Sequence, residues 1–282
     1  MKVIPCKTFL VGEYAVLSGG EAIGLATGPG FTITTEKFNY HAESAAALFL
    51  QSQEFYKVHS SAPGGFGKST AEFIFAYLSR YKSATDFKTI LQSYLSLFDK
   101  NPAQRPSGAD LVIQCLGGVT HIKTEKAKSV AGVWPFENLG FVLVSTGLKI
   151  ATHEHLKNLN RDEIRDLPIL SGQVVSAFLK ADQNAFFDEL TVWKRALESK
   201  GLTHPDVLSL MANLNAEIGQ KLSSTYIIKQ CGAFGADVII IIFEKNQKEV
   251  IKNIVKKFEL VIVAAEDEIT DGALSFDDKR TN

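Results

Sequence analysis

Cysteine is scarce in this 282-residue sequence: Cys6, Cys115 and Cys231 lie far apart, odd in number and without metal-ligand spacing. That excludes a disulfide framework or a zinc module and suits reduced thiols in a cytoplasm. Long apolar runs are missing too. The most apolar stretch, residues 238–243, falls far short of the about 20 residues that span a bilayer and reads as a buried strand. Nor is there an excess of charge: 30 Lys and Arg face 31 Asp and Glu, so neither nucleic acid nor a membrane is expected as a partner. The first residues lack a basic region followed by an apolar stretch, so no signal peptide is expected. What remains is a globular composition, 45% hydrophobic and 22% charged, without repeats or Pro/Gly-rich linkers, enough for one large domain or two packed lobes.

The elements follow from periodicity. Residues 3–11, 22–27 and 31–38 are rich in β-branched and aromatic residues with glycines between them, and read as a group of strands. Residues 57–61 read as another strand, running into Ala62-Pro63-Gly64-Gly65-Phe66-Gly67-Lys68-Ser69-Thr70. Ala71, Phe73, Ile74, Tyr77 and Leu78 then recur at helical spacing. Residues 87–98 are helical in period, and Pro106-Ser107-Gly108 precedes a short apolar stretch, residues 109–116, which sets Asp110 in a helical first turn. After a strand at residues 141–145, residues 153–222 are helical in period, broken at 201–205. Strand, helix and strand are expected at 236–243, 248–258 and 260–264. This mixture predicts an α+β fold.

The glycine-rich turn at 62–70 carries the strongest chemical signal. Glycines let backbone approach a ligand, and a helix N-terminus presents free N–H groups and partial positive charge, a combination suited to phosphate. Lys68 adds a cation, and the Ser69 hydroxyl can bind a metal bridging phosphates. The alternative is a tight turn that only joins strand to helix. Residues 62–69 also fit a loose P-loop, with alanine for the first glycine, although the strand at 141–145 continues into Thr146-Gly147 without the acid a P-loop protein needs for magnesium. A second glycine-rich stretch, Cys231-Gly232-Ala233-Phe234-Gly235-Ala236-Asp237, precedes the apolar strand and reads alone as either a ligand loop or a tight turn.

Three segments in order resemble the motifs of the GHMP kinases: Lys7-Thr8-Phe9-Leu10-Val11-Gly12-Glu13-Tyr14-Ala15-Val16-Leu17, residues 63–71 and residues 229–240. The first, with Gly19, Ala22 and Ile23, is similar to the opening of the mevalonate and phosphomevalonate kinases. Pro106-Ser107-Gly108-Ala109-Asp110, closing on Gly117-Gly118, resembles the segment carrying that branch's catalytic aspartate.

The resemblance implies an N-terminal lobe like ribosomal protein S5 domain 2, residues 1–150, and a ferredoxin-like C-terminal lobe, residues 151–282. It implies ATP and Mg2+ as cofactors, a small acceptor such as mevalonate or phosphomevalonate, and a monomer or homodimer. Pro63, Gly64, Gly65, Phe66, Gly67, Lys68, Ser69 and Thr70 would wrap the phosphates. Ser69 and Asp99 would hold metal, while Asp110 and Lys7 would carry catalysis. Glu13, Arg105, Ser107, Gly108, Gly232 and Ala233 would line the acceptor or its surroundings, with Glu13 more structural than direct, and Thr146, Gly147, Thr152 and His155 more loosely. Phe234, where glycine is common, is expected to narrow the loop. Outside the resemblance, Lys7 reads as a solvated strand-edge lysine and Asp110 as a helix cap.

Overall fold

The computed structural model describes residues 2–81, 86–99, 105–123, 128–131, 133–148, 164–232, 234 and 237–274. Two antiparallel sheets organise them. The first contains β1 (Ile4–Val11), β2 (Glu21–Asn39), β3 (Glu54–His59), β4 (Val119–Lys123) and β5 (Lys128–Ala131), in the order β1-β2-β4-β5 with β3 on the far half of β2. The two strands expected at 22–27 and 31–38 are one strand. Its partners change just past Gly28-Pro29-Gly30: residues up to Phe31 pair with β1, with a register shift across Gly28-Pro29-Gly30, and Glu21 to Leu25 also pair with β4, whereas Thr32 and beyond pair with β3. Proline lacks the N–H a ladder needs, so the strand bends there instead of stopping.

Three helices cover this half: α1 (Ala45–Leu50), α2 (Lys68–Arg80) and α4 (Ala109–Leu116), with α3 (Phe87–Ser96) packed beside α2 and α4. α2 buries Ala71, Phe73, Ile74 and Tyr77, the residues whose spacing predicted it.

The second sheet consists of β6 (Leu139–Ser145), β7 (Tyr226–Cys231), β8 (Val238–Glu244) and β9 (Val261–Ala265), in the order β7-β8-β6-β9. Helices α5 (Leu167–Leu179), α6 (Gln183–Ser199) and α7 (Pro205–Lys221) connect β6 to β7, and α8 (Lys248–Lys257) connects β8 to β9. This is a βαββαβ arrangement with ferredoxin-like strand order, as the α+β expectation required. The change of sheet falls before residue 139 and not at 150, because β6 is an interior strand of the second sheet.

Alternation assigns the two faces of this sheet. Val142, Val144, Ile239, Ile241 and Phe243 pack with Val207, Met211 and Leu214 of α7 and Ile251, Ile254 and Val255 of α8. Phe141, Leu143, Ile240 and Ile242 turn the other way and join one continuous core with β1, β2, α2, α5 and α6. Each fully buried large aliphatic side chain contributes about 1.5–3 kcal/mol, so this shared core holds the halves together.

The chain also returns to its first half. Thr270 N–H donates to the Ala26 carbonyl, Gly118 N–H to Thr270, and Ala273 N–H to Gln114. The approach is so close that a Cβ on Gly117, whose φ is +72°, would lie 1.9 Å from Gly272 N. Gly117→Ala is therefore expected to lower stability by at least about 2 kcal/mol in urea unfolding. Gly64→Ala, where an added Cβ meets nothing within 4 Å, should leave stability unchanged.

Candidate active site

The site is assembled by β1 and the N-terminal ends of α2 and α4. Each helix starts at a left-handed glycine, Gly67 at φ +92° and Gly108 at φ +74°, with no capping side chain on the glycine itself. Gly65 is left-handed as well, and the Ser60 hydroxyl anchors the loop's base by donating to the Gly30 carbonyl at 2.6 Å. Phe66 is fully buried, and its carbonyl accepts from Lys7 N–H at 3.0 Å, which staples the loop to β1. The Thr70 hydroxyl reaches Gln114 Oε1 at 2.6 Å, while Gln114 Nε2 donates to the carbonyls of Pro5 and Gly67. Phe66 and Thr70 therefore spend their side chains on the protein. Pro63, Gly64, Gly65, Lys68 and Ser69 are exposed, so exposed backbone, a helix N-terminus, an ammonium and a hydroxyl face solvent together. These groups fit a polyphosphate.

Against this loop lies a charged pair. Lys7 Nζ meets Asp110 Oδ2 at 3.0 Å, with side chains 9% and 35% exposed. Lys7 is thus no solvated edge lysine, and Asp110 does not cap α4. A Cβ on Gly67 would approach Lys7 Cγ to 2.7 Å, so glycine is what lets the loop reach the lysine. The pair combines a buried ammonium with a carboxylate still open to a ligand. Tyr94 of α3 is buried nearby, and burial together with the Asp110 charge raises its phenol well above the usual range.

The third glycine segment closes the other side. A Cβ on Gly65 would meet Asp237 Cβ at 2.3 Å, and the Asp237 carbonyl accepts from Thr146 N–H at 3.0 Å. Gly232 is left-handed with open space around it. Phe234 takes φ +59°, the conformation glycine usually supplies; its N–H donates to the Tyr14 hydroxyl and its ring packs edge-on against His204 at 5.2 Å. Ala233, Thr152 and His155 lie outside the described residues. Gly147 is exposed beside buried Thr146.

Other expected residues sit differently. Glu13 is not an acceptor contact: its side chain is 1% exposed and meets Lys229 Nζ, itself 0% exposed, at 2.7 Å. Burial pushes its carboxyl above the ordinary range, against the pull of Lys229 and Lys7. Asp99 and Arg105 pair with each other at 3.6 Å beyond the end of α3, both well exposed, so Asp99 would have to leave Arg105 to bind metal. No cluster of three or more His, Cys, Asp or Glu suited to a metal exists among the described residues. Gly108 is buried against Leu91, and the Ser107 hydroxyl accepts from Ala109 N–H at 3.3 Å.

Sequence reasoning gave no role to Lys229 or Gln114. Each is a polar residue inside an apolar element, the one signal available, but their partners are remote in the chain.

No protein-family model and no curated protein matches the chain by sequence. Solved structures do. A mevalonate kinase superposes with a TM-score of 0.67 over 96% of this chain and 99% of its own, at 15% identity. A Streptococcus pneumoniae phosphomevalonate kinase, solved with phosphomevalonate and AMPPNP, gives 0.72 over 94% and 98%, at 14% identity. The chain has the GHMP kinase fold. Lactococcus lactis galactokinase, solved with galactose, gives 0.69 over 96% and 93%, at 11% identity, so the shared fold does not select an acceptor. The GHMP architecture also excludes the P-loop alternative, since both sheets here are antiparallel. No helix among the described residues is long and apolar enough to cross a membrane.

One titratable group lies beside the loop on α2. Glu72 is 13% exposed, 4.0 Å from Lys68, and burial raises its carboxyl from 4.5 to about 7 despite that lysine. Between those values the folded protein keeps a proton the unfolded chain has lost, so Glu72 lowers stability as pH rises from 4.5 to 7. Glu72→Gln should raise stability at pH 8 by up to about 3 kcal/mol, with the gain vanishing near pH 4, in urea unfolding across pH.

Proposed function

We propose that this protein is an ATP-dependent small-molecule kinase that phosphorylates a mevalonate-type acceptor. The observation that carries the reading is the Lys7–Asp110 pair, 3.0 Å apart, against a glycine loop that opens a helix. Phosphoryl transfer needs positioning and charge neutralisation more than covalent help, and these groups supply both. ATP, when bound, supplies the phosphoryl group, and magnesium neutralises its oxygens. The backbone at 64–69 and Lys68 would hold the phosphates, with the Ser69 hydroxyl on the metal. Asp110, the more exposed partner, would orient an acceptor hydroxyl and take its proton. Lys7 would stabilise the developing alkoxide from its buried position.

A carboxylate base suits a hydroxyl nucleophile. A phosphomonoester, with a second pKa of about 6, is mostly dianionic at neutral pH, needs no base and would be repelled by Asp110. This favours mevalonate over phosphomevalonate. The Gly-Glu-Tyr sequence at 12–14 and Asp237 beside Gly65 favour phosphomevalonate as the second reading.

Coupled ADP release, run separately with each acceptor, tests the proposal. Turnover with mevalonate alone is expected; turnover with phosphomevalonate alone reverses the order, and none with either despite ATP binding refutes the acceptor class. Asp110→Asn should lower kcat by about a thousandfold while ATP affinity, read by calorimetry, changes little. Unchanged turnover would remove Asp110 from the mechanism.

A further inference from the structure

Among the described residues, the Glu13–Lys229 contact is the most deeply buried ion pair. Lys229 lies on β7 between Ile227 and Cys231, on the strand face turned to the shared core, and its ammonium also donates to the Gln230 carbonyl. Glu13 follows Gly12 at the end of β1. Its Oε1 accepts from Lys229, while its Oε2 is buried with no hydrogen-bond partner. The second cation whose charge acts on Glu13 is Lys7, and the charges of Lys7, Glu13 and Lys229 all bear on the buried Cys231 thiol. Two ion pairs, Asp110–Lys7 and Glu13–Lys229, thus lie near each other, with Lys7 close enough for its charge to act on Glu13.

Removing one partner of a dry ion pair leaves the other uncompensated. Without Lys229, Glu13 would present two unsatisfied oxygens, and Lys7 is the cation within its field. Lys7 cannot serve Glu13 and Asp110 equally. We propose that Lys229 is a positioning residue, which occupies Glu13 and so keeps the Lys7 ammonium on Asp110. The proposal rests on the reading of Lys7 and Asp110 as the transferring pair. It gives the third glycine segment a role beyond any contact with nucleotide, since β7 leads directly into Gly232.

The test is Lys229→Met, studied by crystallography and by kinetics on full-length protein. The expected structure has Lys7 Nζ within hydrogen-bonding distance of Glu13 and withdrawn from Asp110. Displacement of this kind should lower kcat by about 100-fold, with little change in KM for ATP. The neutral double variant Glu13→Gln/Lys229→Met should return kcat to within about tenfold of the parent, a coupling that simple destabilisation would not produce. Lys7 still on Asp110 in the single variant, as when Glu13 takes up a proton instead, overturns the proposal. So does a double variant that folds yet loses as much turnover as Asp110→Asn. If Lys229→Met does not fold, the double variant, which buries no lone charge, decides by itself. An unmutated protein without turnover on any acceptor would refute the kinase reading, while the position of Lys7 in the crystal would still decide this one.

Discussion

Charge kept out of water has to be matched locally, and in this protein that requirement joins residues 216 positions apart. Glu13 and Lys229 meet where neither side chain reaches solvent. Taking both ions out of water costs several kcal/mol each, and their attraction repays it only when geometry is good, so such a pair specifies an arrangement more than it stabilises one. The arrangement specified here is the docking of β7, an edge strand of the second sheet, against β1 of the first. Once β7 is in that register, Cys231 faces the shared core, and the chain that follows brings Phe234 to Tyr14 and Asp237 to Gly65.

The second constraint is steric. The glycine loop at 64–67 touches Lys7 on one side and Asp237 on the other, and a Cβ at Gly67 or Gly65 would collide with them. Dihedral freedom and the absence of a side chain are both used, because the glycines turn the chain in left-handed conformations while the neighbours press against the backbone. Phe66 between them faces inward and fills the core, so the loop is held from below and open above. A loop anchored this way presents its N–H groups without first having to order itself, which is what stabilising a charged ligand in a defined place requires.

Much of the fold was legible in the sequence. β1, β6, β8, α2, α4 and α8 follow from apolar periodicity and glycine punctuation, within a few residues of the observed ends. β4, β5 and β7 were not recognised. Val119–Lys123 carries Thr, His and Lys, Lys128–Ala131 is four residues long, and Tyr226–Cys231 interrupts its apolar run with Lys229 and Gln230, so none shows clean alternation. The glycines between residues 27 and 31 suggest two strands, whereas the structure carries one strand through Gly28-Pro29-Gly30 with a register shift against β1, and β3 takes over from Thr32. Asp99 and Arg105, which the resemblance casts as ligands, pair with each other at 3.6 Å in the fold, a contact that their spacing does not show.

The sequence by itself determined the local chemistry: a glycine loop opening a helix, an aspartate in the first turn of another, and the most apolar strands of each sheet. These features depend on neighbours within a few residues, so spacing reports them. The tertiary structure decided which charges meet. Whether Lys7 points to solvent or to Asp110, and whether Glu13 contacts an acceptor or Lys229, depends on residues 103 and 216 positions away. Burial and electrostatic pairing are properties of the packed core, and residue spacing along the chain does not encode them.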